Sequence, residues 1–206
     1  LAREGADVAL VARRAEPLQE AAASIAGATG RRVIAVPADT SGDESVKAAV
    51  SDVMGAFGRI DILVNCAAQP GAQSAPPKLA RVDDGLFWQD MNVKVMGYLR
   101  CIREVAPHMI AQKRGRIVNV SGLAARQTGS IIGAIRNVSV VALTKTVADE
   151  LAPHGITAVV VHPGLVRTEV TAGVVTARSQ QLGVTEDEVE RRMAARSLIG
   201  RLVSAE

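Results

Sequence analysis

Five short, β-branched and almost continuously apolar runs, at 8–12, 33–37, 60–66, 116–120 and 157–161, alternate with stretches whose apolar residues recur every three or four positions. Those stretches lie at 17–28, 45–57, 84–112 and 134–151. A strand exposed on one face alternates apolar with polar residues, so runs without alternation belong to strands covered on both faces. Covering both faces of neighbouring strands with intervening helices requires crossover connections, which are right-handed and make the strands parallel. The expected fold is therefore α/β, a doubly wound parallel sheet in a single domain. With aromatic residues at only 2%, its core must be assembled from Ala, Val, Leu and Ile, the residues that dominate those runs.

Composition removes several function classes. Lys and Arg number 24 against 21 Asp and Glu, and the small excess is scattered without interleaved aromatics, so no nucleic-acid footprint is present. Apolar runs such as 156–161 fall short of the roughly 18 residues that a membrane span needs. Cys66 and Cys101 lie far apart in apolar segments, which reads as two free buried thiols in a reducing, cytoplasmic setting, with no disulfide framework or metal site. Residues 1–5 read as the last turn of a helix closed by Gly5, and Ser204 as a helix N-cap, so further chain is expected at both ends. The Pro, Gly and Ala-rich segment 69–78 reads as a mobile loop after a strand.

In open parallel sheets ligands bind beyond the carboxyl ends of the strands. The residues there are Arg13, Arg14, Asp39, Asn65 to Ala68, Ser121, Gly122 and the segment from His162. Taken together these strand ends resemble the short-chain dehydrogenase/reductase family, whose fold is of the Rossmann type. Asp39-Thr40 resembles its adenine-contacting Asp, and Asp61-Ile62-Leu63-Val64-Asn65-Cys66-Ala67-Ala68 its D-x-L-V-N-N-A-G segment, with Cys66 and Ala68 as departures. Asn92 in Met91-Asn92-Val93 is similar to the helix Asn of the catalytic tetrad. Pro163-Gly164-Leu165-Val166-Arg167-Thr168 resembles the turn beside the nicotinamide, and Ile199-Gly200-Arg201-Leu202 the segment before the last helix.

The resemblance implies a dinucleotide cofactor lying across Asn65, Ala67, Pro163, Gly164, Val166 and Thr168. The residues themselves speak to which one. After the run at 8–12 an NAD site would offer the ribose 2′-hydroxyl a carboxylate, whereas here Ala12 is followed by Arg13-Arg14. Two guanidiniums suit a 2′-phosphate, so NADP(H) is favoured over NAD(H). The Gly-rich turn that the family places upstream is expected before residue 1.

At the reacting end the pattern departs from the family. Its chemistry uses a Tyr that exchanges a proton with the substrate oxygen, a Lys four residues later, and a Ser that polarises the carbonyl. Aligned through Ala142-Leu143-Thr144-Lys145, the Tyr position falls on Gly133 and the Lys position on Asn137. Gly133 has no proton to give, and Asn137 carries no charge, although its amide can bond a ribose hydroxyl. The pair Ser121-Gly122 puts Gly122 at the usual serine position and Ser121 one residue before it. Asn92 and Ser121 remain as catalytic candidates, with Ser130 and Arg136 as further replacement donors. Tyr98, six residues after Asn92, should face away from the site into the core or a subunit contact.

Two functions follow. One is an oxidoreductase moving a hydride between NADP(H) or NAD(H) and a hydroxyl or carbonyl of a small molecule. The other is a non-catalytic dinucleotide-binding or assembly homologue. The family resemblance also implies a homodimer or homotetramer built on the apolar helices 84–112 and 134–151.

Overall fold

The computed structural model describes residues 1–68, 79–168, 171–195 and 200–204. The loop expected over 69–78 and Ile199 lie outside the described residues. All five expected strands form: β1 (Val8–Ala12), β2 (Val33–Pro37), β3 (Ile62–Asn65), β4 (Gly115–Val120) and β5 (Ile156–Val161). Every pairing is parallel, as continuous apolar runs require. The strands fall into two hydrogen-bonded groups, β1 with β2 and β3 with β4 and β5, the second in the order β3-β4-β5.

Helices α1 (Ala15–Thr29), α2 (Asp43–Phe57), α3 (Asp84–Met91), α4 (Gly97–Gln112) and α5 (Ile131–Leu151) supply the crossovers, and α6 (Thr171–Leu182) and α7 (Glu186–Ala194) follow β5. At the start of the chain a 3-10 turn, Ala2–Glu4, ends at Gly5 with φ 92°, the left-handed cap expected there. The helix expected over 84–112 forms as one uninterrupted helical run, but it is not α-helical throughout. Between α3 and α4 the backbone widens into a π-helical segment, Asn92–Met96, which shifts the angular phase of everything after it.

The main core lies where α4 and α5 pack on β4 and β5, around Ile102, Val105, Met109, Ile117, Val147, Leu151 and Ile156. A second cluster, Val36, Ala38 and Ala49, fixes α2 to β2. A third joins Val175 of α6 to Val189 and Met193 of α7, with Leu165 and Leu202 packed against it. The strand bridge Val166–Val203 closes that lobe onto the turn after β5.

Two expectations are corrected. Cys66 is exposed, because β3 ends at Asn65 and the chain leaves the core there, while Cys101 is half-buried on α4. One helix, Ile131–His154, does reach the length and mean hydropathy, 1.4, of a membrane-crossing segment. It packs here as a core helix: Val140, Thr144, Val147 and Leu151 are buried, and the Thr144 hydroxyl accepts a hydrogen bond from Asn119 of β4.

Candidate functional site

A polar ladder runs through the interior below the ends of β3 and β4. Asn65 and Asn119 face each other in the parallel register, and Asn65 Nδ2 donates to Asn119 Oδ1 at 2.9 Å. Asn119, wholly buried, donates onward to Thr144 Oγ1 at 2.9 Å, and Thr144 donates to the Val140 carbonyl. This ladder sets the height of α5 against the strand ends. It also turns the Asn65 side chain inward, so what Asn65 leaves at the rim, with half-buried Ala67 beyond it, is backbone.

At the end of β4 three buried side chains meet. Lys94, 4% exposed, projects from the π segment and its Nζ donates to the Ser121 carbonyl at 2.8 Å and to Asn137 Oδ1 at 3.0 Å. Ser121 Oγ donates to the Asn137 carbonyl at 2.9 Å, and its N–H to Val161 of β5. Lys94 is the only charged side chain buried among the described residues. Burial drives its pKa down to about 8; the Arg136 charge adds to that, while Asp90 and Cys66 oppose it. Arg136 and Asp90 are themselves paired at 2.6 Å across α5 and α3.

Gly122 follows in extended backbone, φ 167°, and its lack of a side chain is a matter of space. A Cβ there would sit 2.9 Å from Asn137 Nδ2. Asn137 thus occupies the volume that a serine at 122 would use. Gly133 is buried in the first turn of α5, where its N–H is capped by Ser130 Oγ at 3.0 Å.

The other candidates fall at separate places. Asn92 does not join Ser121: its amide donates to the Ser41 carbonyl, and its Oδ1 accepts from Arg100 Nη2 at 2.8 Å. Asn92 and Lys94 leave the π segment on different sides, Asn92 toward Ser41 and Arg100 and Lys94 toward the end of β4. Ser121 spends its hydroxyl on helix backbone, Ser130 on a cap and Arg136 on Asp90. Tyr98, 1% exposed, donates to the Val120 carbonyl at 3.0 Å, and burial pushes its phenol well above the ordinary range. It is a core residue.

Lys94 was absent from the candidates read from sequence. Its only signal was a lone cation between Val93 and Val95, in a stretch otherwise fit for the core.

At the opposite end of the rim, Arg13 and Arg14 line an open hollow of about 630 Å³ with Ala12, Pro17, Leu18 and Ala21. Asp39 lies near: Ser41, through its backbone N–H and then its side chain, holds the Asp39 carboxyl below its usual range, with the charges of Arg13 and Arg100 assisting and burial opposing. Thr40 anchors this corner to the π segment, donating to the Val93 carbonyl at 3.2 Å. Gly97 permits that approach, since a Cβ on it would lie 3.0 Å from the Thr40 side chain. Pro163 and Gly164 are exposed after β5, and His162 Nδ1 lies 3.3 Å from the Gly122 carbonyl. Val166 carries the bridge to Val203, and Thr168 is bonded to Thr171 at the start of α6.

The sequence pattern of the family described as short chain dehydrogenase matches residues 1–179. The chain belongs to that family. Among curated relatives of this short-chain dehydrogenase, the short-chain reductase protein NovJ of Streptomyces niveus is 34% identical over 207 residues, covering 100% of this chain and 76% of the relative. A 3-oxoacyl-[acyl-carrier-protein] reductase of Staphylococcus epidermidis is 30% identical, covering 83% of this chain and 69% of its own. Among solved structures, the L-sorbose reductase of Gluconobacter frateurii complexed with NADPH and L-sorbose superposes with a TM-score of 0.88 at 28% identity, over 98% of this chain and 77% of that one. The short-chain dehydrogenase fold therefore carries, in this chain, a buried ammonium, a carboxamide and two glycines where β4 meets α5.

Proposed function

We propose that the chain is an oxidoreductase that moves a hydride between a nicotinamide dinucleotide, NADP(H) in preference to NAD(H), and a hydroxyl or carbonyl carbon of a small molecule. The observation that carries the reading is the hollow beyond β1. Two guanidiniums line it, neither ion-paired with a carboxylate among the described residues, as a 2′-phosphate requires. From there the cofactor would run along the strand ends, with Asp39 and Thr40 at the adenine, the backbone at Asn65 and Ala67 at the ribose, and Pro163, Gly164, Val166 and Thr168 flanking the nicotinamide. When bound, that group supplies the hydride. The chain supplies orientation and a dry, cationic reacting end, because Lys94, Ser121 and Asn137 are buried together.

The relatives support the chemistry class: two of them are named as reductases, and the sorbose enzyme was solved with NADPH. The exposed apolar residues Trp88 on α3 and Ile135 and Val138 on α5 support association with a second copy, as a homodimer or homotetramer. The test is NADPH and NADH binding followed by fluorescence, then NADPH oxidation against a panel of small ketones and aldehydes. Binding of NADPH with carbonyl-dependent oxidation is expected. Binding without turnover would favour a non-catalytic dinucleotide-binding relative, and no binding of either dinucleotide would overturn the reading.

A further inference from the structure

Lys94 is an unusual group to find where it is. Transferring an ammonium out of water is strongly unfavourable unless it is paired and hydrogen-bonded. Lys94 meets no carboxylate at bonding distance among the described residues, only a carbonyl and a carboxamide oxygen. Lys94 lies on the buried side of the helical run, with Gly97 and Tyr98, and its stem runs inward. Two of its three N–H groups are held, by the Ser121 carbonyl and by Asn137 Oδ1. The Tyr98 ring, 6.0 Å away, packs beneath the charge.

The facing residue is the second half of the argument. Asn137 sits where the resemblance described above calls for a lysine, and Lys94 reaches it at 3.0 Å. The ammonium is thus present in the site, delivered from the α3–α4 junction, while α5 contributes the carboxamide. A carboxamide at 137 can accept from Lys94 through Oδ1 and still donate through Nδ2, which a second lysine could not do.

We propose that Lys94 is the proton-bearing residue of this site, its ammonium fixed by the Ser121 carbonyl and Asn137 and releasing a proton toward the substrate oxygen as hydride reaches the adjacent carbon. This rests on the oxidoreductase reading, with a reduced nicotinamide dinucleotide as the reductant. In the reducing direction the new C–H bond takes the hydride pair, and the C=O π pair moves onto oxygen. One N–H bond of Lys94 breaks as the O–H bond forms, directly or through one hydroxyl or water, leaving a neutral amine that solvent reprotonates. Each carbonyl consumes one hydride and one proton. The groups facing the ammonium fit that duty: Arg136 on α5 lowers its proton affinity, and Asp90 on α3 and Cys66 after β3 raise it. A lysine that releases its proton near neutral pH is the form a general acid needs.

The test has an arm that needs no cofactor. In protein labelled at lysine Cε, the signal absent from Lys94→Met is assigned to Lys94 and followed against pH; a midpoint near 8 is expected, and an ordinary lysine midpoint overturns the proposal. Lys94→Met, close in shape and free of a buried charge, is expected to fold, to bind NADPH within about 10-fold of native, and to lose about 100-fold or more in kcat. The pH profile of kcat should lose its limb near 8 in the same variant. Lys94→Asn should be as poor, and Lys94→Asn/Asn137→Lys should recover to within about 10-fold of native, because one ammonium and one carboxamide are again present. Native-like turnover in Lys94→Met, or a double variant no better than Lys94→Asn, overturns the assignment. A native protein without NADPH-dependent turnover overturns the oxidoreductase reading and this assignment with it, a result distinct from native turnover that Lys94→Met leaves untouched.

Discussion

Replacing Gly122 by Ser, the residue that the family resemblance implies there, exposes how tightly this site is interlocked. The backbone there is extended, so a serine adopts it without strain. The obstacle is Asn137, whose Nδ2 lies 2.9 Å and whose Cγ lies 3.4 Å from the new Cβ. Asn137 is buried, its Oδ1 is held by Lys94 and its carbonyl by Ser121, so it cannot swing aside without breaking a bond to a buried charge. Overpacking of this kind costs about 1–3 kcal/mol. Asn137→Ala removes the obstacle but takes from Lys94 one of its two acceptors, again about 1–3 kcal/mol. In the double variant the introduced hydroxyl fills the vacated volume and can accept from Lys94. Its total should therefore fall below the sum of the singles by about 1–2 kcal/mol. Urea unfolding at neutral pH, followed by circular dichroism, measures all four corners of the cycle. A Gly122→Ser variant within about 0.5 kcal/mol of native, or a double variant additive to that precision, would refute the interlock.

Three further outcomes follow from the same geometry. Because burial lowers the Lys94 pKa from 10.5 to about 8, the unfolded chain binds more protons than the folded one between those values. The unfolding free energy of native protein relative to Lys94→Met should therefore rise by up to about 3 kcal/mol between pH 8 and 10.5, and a flat difference would contradict the burial. Asn119→Leu leaves Asn65 Nδ2 without its acceptor and Thr144 without its donor, so it should lower unfolding stability by about 2–3 kcal/mol in urea titration; a loss below about 1 kcal/mol would mean the ladder is dispensable. Arg13→Ala/Arg14→Ala should weaken NADPH binding by about 10- to 100-fold in a fluorescence titration while leaving NADH nearly unchanged, and equal losses for both would exclude contact with a 2′-phosphate.

The strands were legible because the physics that buries them acts on every residue of the run. Val8 to Ala12 or Ile156 to Val161 needs cover on both faces whatever its neighbours are, and each strand lies within about two residues of the boundaries read from sequence. The helix over 84–112 shows where that kind of signal ends. A π segment changes the phase of a helix without changing its composition, so 92–96 read as an ordinary continuation. At the site Asn92 turns toward Ser41 and Arg100, and Lys94 takes the inward place. Ser121 was read correctly as lying at the strand end. Its hydroxyl partner, the carbonyl of Asn137, is a backbone atom 16 residues away, and backbone acceptors leave no mark in sequence. Asn119 was missed for a different reason. A single amide among Ile117, Val118 and Val120 was its signal, and its importance emerges only when Asn65 and Thr144 are seen to bracket it.

The residues at 94, 122 and 137 form one interlocked set. With an ammonium entering from the α3–α4 junction, a lysine at 137 would set two positive charges in one dry pocket, so 137 must be neutral and must accept a hydrogen bond; asparagine does both. An asparagine held in that orientation fills the space above β4, so 122 must lack a Cβ. Gly133 belongs to a neighbouring constraint, because even a Cβ there would lie 3.2 Å from the Ser130 Cβ that caps α5. A serine at 122 meets Asn137 as a clash, and a lysine at 137 meets Lys94 as charge repulsion. Positions 122 and 137 can therefore change only together with 94, and the chemistry we propose for the site is that of the ammonium they accommodate.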